Sequence, residues 1–491
     1  MTLRVRLDGH ALAGPVADVL RLFARRPGAV RTASDGREVI GMSEQEDSES
    51  SEFCSEIRRD GDGWTVRTTD ASAGRSRSER FAGSSAQESP PVAVRRAVKR
   101  QLFILLSDRT GIRPPWGSLT GIRPTLLAEE ALAKGLDARA AAEELADLYG
   151  VRPEKAALAV RVALAEAEAL DRVPEDRPFV YVSVPFCTTR CAYCSFPSGT
   201  VARFGSRMPA YLDALLAEAA RAGARLAAEG RVAAGFYVGG GTPAVLSAEA
   251  IAGLLRGLRE RIPFRPGFEG TFEAGRCDDL DEAKIAAIAD GGCGRLCLNP
   301  QSTDPGTLAR IGRPDAGPLL ARWTAAARRA GIGTVSMDLI AGLPSDAEDG
   351  FHRSLGDVLA LRPENVTVHA LSRKRGADLA AAHEAPDPYD GTAGRMADAA
   401  ARRLAEAGYA PCHLYRQKDA AGGLENVGWT LPGSACLYNV AMMSDRRPVI
   451  GLGAGATSKE LLPGRRGVVR TYGPTDPEAY LARIARGGAD G

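Results

Sequence analysis

The 491-residue sequence has no apolar run approaching the length needed to cross a bilayer, and its first residues, MTLRVRLDGH, carry no apolar stretch behind a basic start. Neither a membrane span nor a secretory leader is expected, and the reading is a cytoplasmic protein. An excess of one charge is also missing. The 63 Lys and Arg stand against 61 Asp and Glu, and a formal net charge of +2 gives no global attraction for nucleic acid. Cysteine is scarce: 9 residues, irregularly spaced, do not make the disulfide framework of a secreted protein. Histidine is scarcer still, with 5 scattered residues.

What is present is an ordinary globular composition, 44% hydrophobic and 25% charged, long enough for two or three domains. Residues 1–110 offer a strand-like LRVRL and a helix-like GPVADVLRLFARR, a small α/β region. Within it, residues 43–56 and 70–91 are rich in Ser, Gly and charge and read as loops. Residues 111–175 read as Ala-rich amphipathic helices ending in the linker DRVPEDRP. From 176 to 385, six strand-like runs (FVYVSVPF, GFYVGGG, GTFEAG, RLCLNP, TVSMDLIAG, NVTVHALS) alternate with helical segments. That rhythm predicts an α/β fold, a parallel sheet with right-handed crossovers and reactive groups at the carboxyl ends of its strands. Residues 386–491 read as a separate C-terminal lobe.

The loop after the first of those runs, PFCTTRCAYCSF, holds Cys187, Cys191 and Cys194. Three thiolates in one loop suit a cubane iron–sulfur cluster, with three irons held and the fourth open. The open iron can chelate S-adenosylmethionine, which one electron then cleaves to a 5′-deoxyadenosyl radical. A zinc site is the alternative, although no fourth His or Cys lies close by in sequence. GGGTP, at Gly239–Pro243, ends the second strand-like run and lets the backbone approach a ligand with exposed N–H groups, suiting a carboxylate or phosphate. Glu273 ends the third and can accept ribose hydroxyls; on its own it would read as a surface acid.

With these motifs in hand, the sequence resembles the radical S-adenosylmethionine proteins related to oxygen-independent coproporphyrinogen III oxidase, in the branch with an extra N-terminal domain. The likeness spans residues 115–475, through PWGSLTGIRPT, YVSVPFCTTRCAYCSF, GGGTPAVL, NPQS, MDLIAGLP, LYRQKDAAGGLENVGW and GLGAGATSK. It implies a partial (β/α)6 barrel with a [4Fe-4S] cluster on the three cysteines and S-adenosylmethionine as consumed cofactor. Tyr181 and Tyr193 correspond to aromatic cofactor contacts, Gly240, Gly241 and Thr242 to the glycine motif, and Glu273 to the ribose acid. Gln301, Arg313 and Asp338 correspond to residues that help hold a second S-adenosylmethionine, and Thr457 to a late cofactor contact. Two positions depart from the best known members: Ser183 replaces a histidine, making Tyr181 and Ser183 the catalytic candidates, and Phe196 replaces a fourth cysteine. The implied reaction is oxidative decarboxylation of coproporphyrinogen III to protoporphyrinogen IX, with a small redox protein as electron donor. Relatives with the same cluster motif and no fourth cysteine carry haem instead, and a radical enzyme on another substrate is a third reading.

Four propionates call for fixed cations, and Arg416 and Lys418 in LYRQK, with Arg373, Lys374 and Arg375 in SRKRG, are the candidates; a solvated basic surface is the alternative. Cys293 and Cys297 could suggest a second metal, but two buried thiols on one side of a strand are the plainer reading. His369, at a strand end, reads as a structural histidine within reach of the site.

Overall fold

The structure, a computed structural model, describes residues 2–23, 30–33, 35–42, 50–82, 92–121, 123–194, 196, 199–315, 317–372, 377–378, 391–462, 464 and 467–487. Six strands form where the alternation predicts them: β1 (Phe179–Val184), β2 (Ala233–Gly240), β3 (Phe264–Glu273), β4 (Arg295–Gln301), β5 (Thr334–Ala341) and β6 (Asn365–Ala370). They pair in parallel in chain order. Helices 208–228, 248–261, 282–290, 317–329 and 348–360 make the crossovers. Period-2 geometry sorts each strand's side chains. In β1, Val180, Val182 and Val184 enter the main core with Leu215, Leu254 and Leu296, while Phe179 and Tyr181 pack in a different cluster with Tyr237 and Tyr438.

The segment after residue 386 is not a separate lobe. Its strands β7 (Ala410–Arg416) and β8 (Glu425–Thr430) add antiparallel to the edge at β6, while β9 (Val449–Leu452) adds in parallel beside β1, followed by β10 (Thr457–Leu461) and β11 (Val468–Tyr472). The result is one 11-stranded sheet in the order β7-β8-β6-β5-β4-β3-β2-β1-β9-β10-β11. The physical reason is edge satisfaction: a six-stranded parallel sheet presents two rows of unpaired backbone groups, and the tail covers both. The helical region likewise shares the barrel's core, through Trp116, Leu119, Ala128 and Ala159. Its helix Ala138–Tyr149 is set locally, with the Asp137 side chain accepting from the Ala140 N–H at one end and left-handed Gly150 (φ 68°) at the other.

The N-terminal region has its own core of Leu3, Val5, Leu7, Phe53, Ile57, Leu102 and Leu106, between a six-stranded sheet and helices 13–21 and 92–110. Two expected loops are strands there. Ser50–Asp60 buries Phe53 and Ile57 and turns charged residues outward, and Arg75–Ala82 is an exposed edge strand paired along Gly63–Asp70. A solvated face coded by Ser, Arg and Glu has the composition of a loop, which hid both. Residues 71–74 are the turn that joins Gly63–Asp70 to Arg75–Ala82, and 43–49 and 83–91 lie outside the described residues. Among the described residues, no helix is long and apolar enough to cross a membrane.

Candidate active site

The cysteine loop leaves β1 and is tied down at both ends. Phe186–Cys187 pairs in parallel with Gly199–Thr200, the Ala192 N–H donates to the Ile311 carbonyl (3.1 Å), and the Cys194 N–H donates to the Cys191 carbonyl (3.0 Å). All three cysteines are free thiols; Cys187 and Cys191 are buried and Cys194 is half-buried. Two side chains already direct donors at their sulfurs: Thr242 Oγ1 lies 3.5 Å from Cys187 Sγ, and Arg313 Nε lies 3.4 Å from Cys191 Sγ. The other Arg313 nitrogens hold the Asn299 and Gly275 carbonyls, so this guanidinium pins the loop after β4 to the cysteine loop.

The glycine turn works differently from expectation. The Gly241 and Thr242 N–H groups donate to the Val184 and Phe186 carbonyls (2.9 and 2.7 Å), so they brace the cysteine loop instead of standing open to an anion. Gly240 is left-handed (φ 119°), and a Cβ on Gly241 would lie 2.8 Å from Cys187 Sγ and 2.6 Å from the Phe186 carbonyl. The glycines let β2 end directly against the cysteine loop.

Inside the sheet's curve lies a cavity of about 570 Å³, lined at one end by Tyr193, Cys194 and Phe196 and along its walls by residues of β2 to β8 and by helix Leu437–Met443. Six of its polar residues, one each from β2 to β7, are linked into a belt. The Tyr237 hydroxyl donates to Glu273 (3.1 Å), and Asn299 Nδ2 donates to both Glu273 (2.9 Å) and Asp338 (3.1 Å). His369 Nε2 lies 3.4 Å from Asp338, and the Tyr415 hydroxyl lies 3.3 Å from His369 Nδ1. Two buried acceptors, Asn299 Oδ1 and Gln301 Oε1, have no hydrogen-bond partner among the described residues. Burying such oxygens costs free energy unless something fills the cavity and donates to them. Tyr181 stacks on Tyr438 (5.7 Å) and Tyr237 (6.2 Å) beside this belt.

Of the residues singled out in the sequence, Tyr193, Cys194, Glu273, Gln301 and Asp338 line the cavity. Tyr181 lies against the lining residues Tyr237 and Tyr438. Ser183 does not reach the cavity: it is buried, and its hydroxyl donates to the Ala454 carbonyl (2.6 Å), fastening β1 to the loop after β9. Thr457 opens β10 beside Gly451, the register partner of Tyr181, and is not a lining residue. Arg416 is a correction. It is buried away from the cavity, its guanidinium holds the Leu119, Gly121 and Gly423 carbonyls, and it lies over the Trp116 ring at 5.6 Å. Lys418 is exposed, 3.9 Å from Asp18 of the N-terminal region. Gln417, between the two, is the lining residue, because alternation turns the neighbours of an inward position outward. Residues 373–375 lie outside the described residues. Cys293 and Cys297 part company, the first into the main core and the second onto the cavity wall, since Cys293 precedes β4. The sequence reading missed Tyr237, Asn299, Tyr415, Gln417 and Tyr438; alternation marks Tyr237, Asn299 and Tyr415 as inward only once neighbouring strands are set in register, and no strand pattern marks Tyr438, which stands on a helix.

Burial, then the neighbouring Asp338 charge, pushes the Glu273 carboxyl up to about 7, against the pull of its Tyr237 and Asn299 hydrogen bonds. The sign of the stability effect follows. Below the ordinary carboxyl value of 4.5 the group is neutral in both folded and unfolded chains; between 4.5 and about 7 only the unfolded chain ionises, so the folded state loses stability across that window and the full cost stands above it. Cofactor-free Glu273→Gln is therefore expected to melt above the wild type at pH 8, on the order of 2 °C, with the gap closing toward pH 5. A gap that does not vary with pH in scanning calorimetry would contradict this account of Glu273.

Known proteins bear on this geometry. The radical SAM superfamily profile matches residues 181–358, from Tyr181 through the cysteine loop to the helix after β5. The oxygen-independent coproporphyrinogen-III oxidase-like protein HemZ of Bacillus subtilis is 35% identical over 385 residues, 77% of this chain and 77% of its own. The haem chaperone HemW of Mycobacterium tuberculosis is 32% identical over 330 residues, 66% of this chain and 79% of its own. Among solved structures, the radical SAM enzyme coproporphyrinogen III oxidase (HemN) of Escherichia coli matches with a TM-score of 0.53 at 20% identity, over 66% of this chain and 73% of that one. At that identity the match speaks to the fold.

Proposed function

Because the chain belongs to the radical S-adenosylmethionine superfamily, among its oxygen-independent coproporphyrinogen-III oxidase-like proteins, we propose that it decarboxylates coproporphyrinogen III oxidatively to protoporphyrinogen IX. Members of the superfamily use a [4Fe-4S] cluster and S-adenosylmethionine. The residues present suit both groups: three free thiols in one loop that a close-packed glycine turn braces, and two buried acceptors on the cavity wall without a partner among the described residues. Cys187, Cys191 and Cys194 would hold the cluster. Tyr181, Tyr193, Gly240, Gly241, Thr242 and Glu273 would surround the cofactor, with Gln301, Arg313 and Asp338 alongside and Thr457 at a greater remove. Once bound, the two groups supply hydrogen-atom abstraction after one-electron reduction. The chain's own part is to hold the substrate against that point and keep water out, which Tyr237, Trp429 and Tyr438 serve as aromatic walls.

The observation that carries the reading is the continuity of one cavity, from Cys194 in the cysteine loop to the acid and histidine belt at the strand ends. Anaerobically reconstituted protein with reductant, S-adenosylmethionine and coproporphyrinogen III is expected to yield 5′-deoxyadenosine, carbon dioxide and vinyl products. A haem carrier is the second reading, favoured by the 32% identity to a haem chaperone and by His369, His413, Cys412 and Met443 on the cavity wall. Stoichiometric haem uptake with no carbon dioxide from coproporphyrinogen would establish it over the first. A small redox protein as electron donor belongs to the same proposal.

A further inference from the structure

The turn after β3 takes a second grip on the cysteine loop, and the grip is charged. Between Cys187 and Cys191 the loop carries Thr188 and Thr189. Arg276 Nη1 donates to the Thr189 hydroxyl (2.6 Å), and the Thr188 hydroxyl donates to Asp279 (2.6 Å). The Arg276 side chain keeps only 5% of its surface open; its other two nitrogens donate to Asp278 (3.2 and 2.8 Å), and Asp279 lies 3.7 Å from Nε. The turn itself is fixed from behind, with the Cys277 carbonyl accepting from Trp323 Nε1 (2.8 Å) and the Asp279 carbonyl from Lys284 Nζ (2.6 Å).

Bracing alone does not call for a guanidinium here. A threonine hydroxyl needs only a neutral donor, whereas burying a cation costs free energy unless it is paired. A second cation adds to that cost. Arg313 donates to the carbonyl of Gly275, the residue before Arg276, at 3.0 Å, and its Nε lies 3.4 Å from Cys191 Sγ, so the two guanidiniums repel each other beside the same thiol. Negative charge on the thiolates offsets this repulsion, and reduction of a cluster held by them adds more. We propose that Arg276 is a positioning residue for the reduced cluster: its buried charge, beside that of Arg313, stabilises the electron that cleavage of S-adenosylmethionine requires. This rests on the three cysteines holding the cluster and is independent of which substrate is used. Net charge near the cluster is a lever on its reduction potential, and removing Arg276 also strips Asp278 and Asp279 of their countercharge, which acts in the same direction.

The test is a redox titration of the anaerobically reconstituted protein without S-adenosylmethionine, followed by electron paramagnetic resonance of the reduced cluster. Arg276→Gln should lower the ratio of reduced to oxidised cluster at a fixed potential by about tenfold, a fall of about 59 mV in the midpoint for one electron. Arg276→Lys, which keeps the charge and loses the fork, should recover most of that shift. Asp278→Asn should move the midpoint the other way, and by less, because Asp278 is 29% exposed and solvent screens it. Thr189→Val removes the hydroxyl and keeps the charge, and should leave the midpoint in place. An unchanged midpoint in Arg276→Gln overturns the proposal, as does a Thr189→Val protein that reproduces the Arg276→Gln shift. Should Arg276→Gln fail to take up iron, Asp278→Asn decides: a midpoint that stays or falls overturns the proposal. A wild type that takes up no iron overturns the cluster site itself, and the role of Arg276 with it.

Discussion

Cys187→Ala is expected to reduce anaerobically reconstituted protein from about four irons per chain to fewer than one, with loss of the brown charge-transfer absorption. Of the three thiols, Cys187 is the one locked into regular structure, through its pairing with Thr200, and the one against which Gly241 and Thr242 close. A cubane held by only two thiolates leaves two irons without a protein ligand, so the cluster is lost as a unit. The controls are the other buried thiols. Cys293 sits in the main core with its thiol pushed up by burial, and Cys436 sits at the start of helix 437–443, pushed up to about 12 by burial and then by Glu269. Their alanine variants should keep the iron. Iron and sulfide assays on the three proteins decide the matter, and a Cys187→Ala protein that still holds a full cluster would remove this loop as the cluster site.

The difference between Cys187 and Arg416 marks what could be read in the sequence. A thiolate's role was legible because the chemistry fixes spacing within one loop, and the six strands were legible because inward and outward positions alternate locally. Arg416 was misassigned because a cation's partner is set by tertiary contacts. Two of its three carbonyl acceptors, Leu119 and Gly121, lie about 295 residues away along the chain. The belt was legible in principle, since Tyr237, Glu273, Asn299, Asp338 and His369 all fall on inward positions, but only once neighbouring strands are set in register. The union of the C-terminal strands with the barrel was not legible: which edge a strand joins depends on backbone groups left unpaired elsewhere, and no local pattern encodes that.

The same union predicts the second large effect, at Lys155. This residue opens helix Pro153–Leu170 and is buried, with Nζ 2.7 Å from Glu425 on β8 and 3.0 Å from Asp398. The second Glu425 oxygen accepts from Trp116 Nε1 at 2.7 Å, and Trp116 in turn lies under Arg416, next to the lining residue Gln417. Burial alone would push the Glu425 carboxyl up; the Lys155 charge, with the Trp116 hydrogen bond, holds it below its ordinary value. Lys155→Met fills the same space and leaves that carboxylate buried without its lysine partner, a change expected to cost about 3–5 kcal/mol and to lower the apparent melting temperature by several degrees. Adding Glu425→Gln, which keeps an acceptor for Trp116 and removes the charge, should restore most of the loss, because the penalty lies in the unpaired charge and not in a missing contact. The pH dependence has a definite sign. In the wild type the depressed Glu425 value contributes stability above the ordinary carboxyl range that is lost as pH falls through it, whereas in Lys155→Met acidification neutralises the stranded carboxylate. The gap between the two proteins should narrow from pH 8 to pH 5. If Lys155→Met melts with the wild type, or if Glu425→Gln fails to rescue it, the ion pair is not what fastens the helical region to the barrel, and the packing of Trp116 against Arg416 has to carry that role instead.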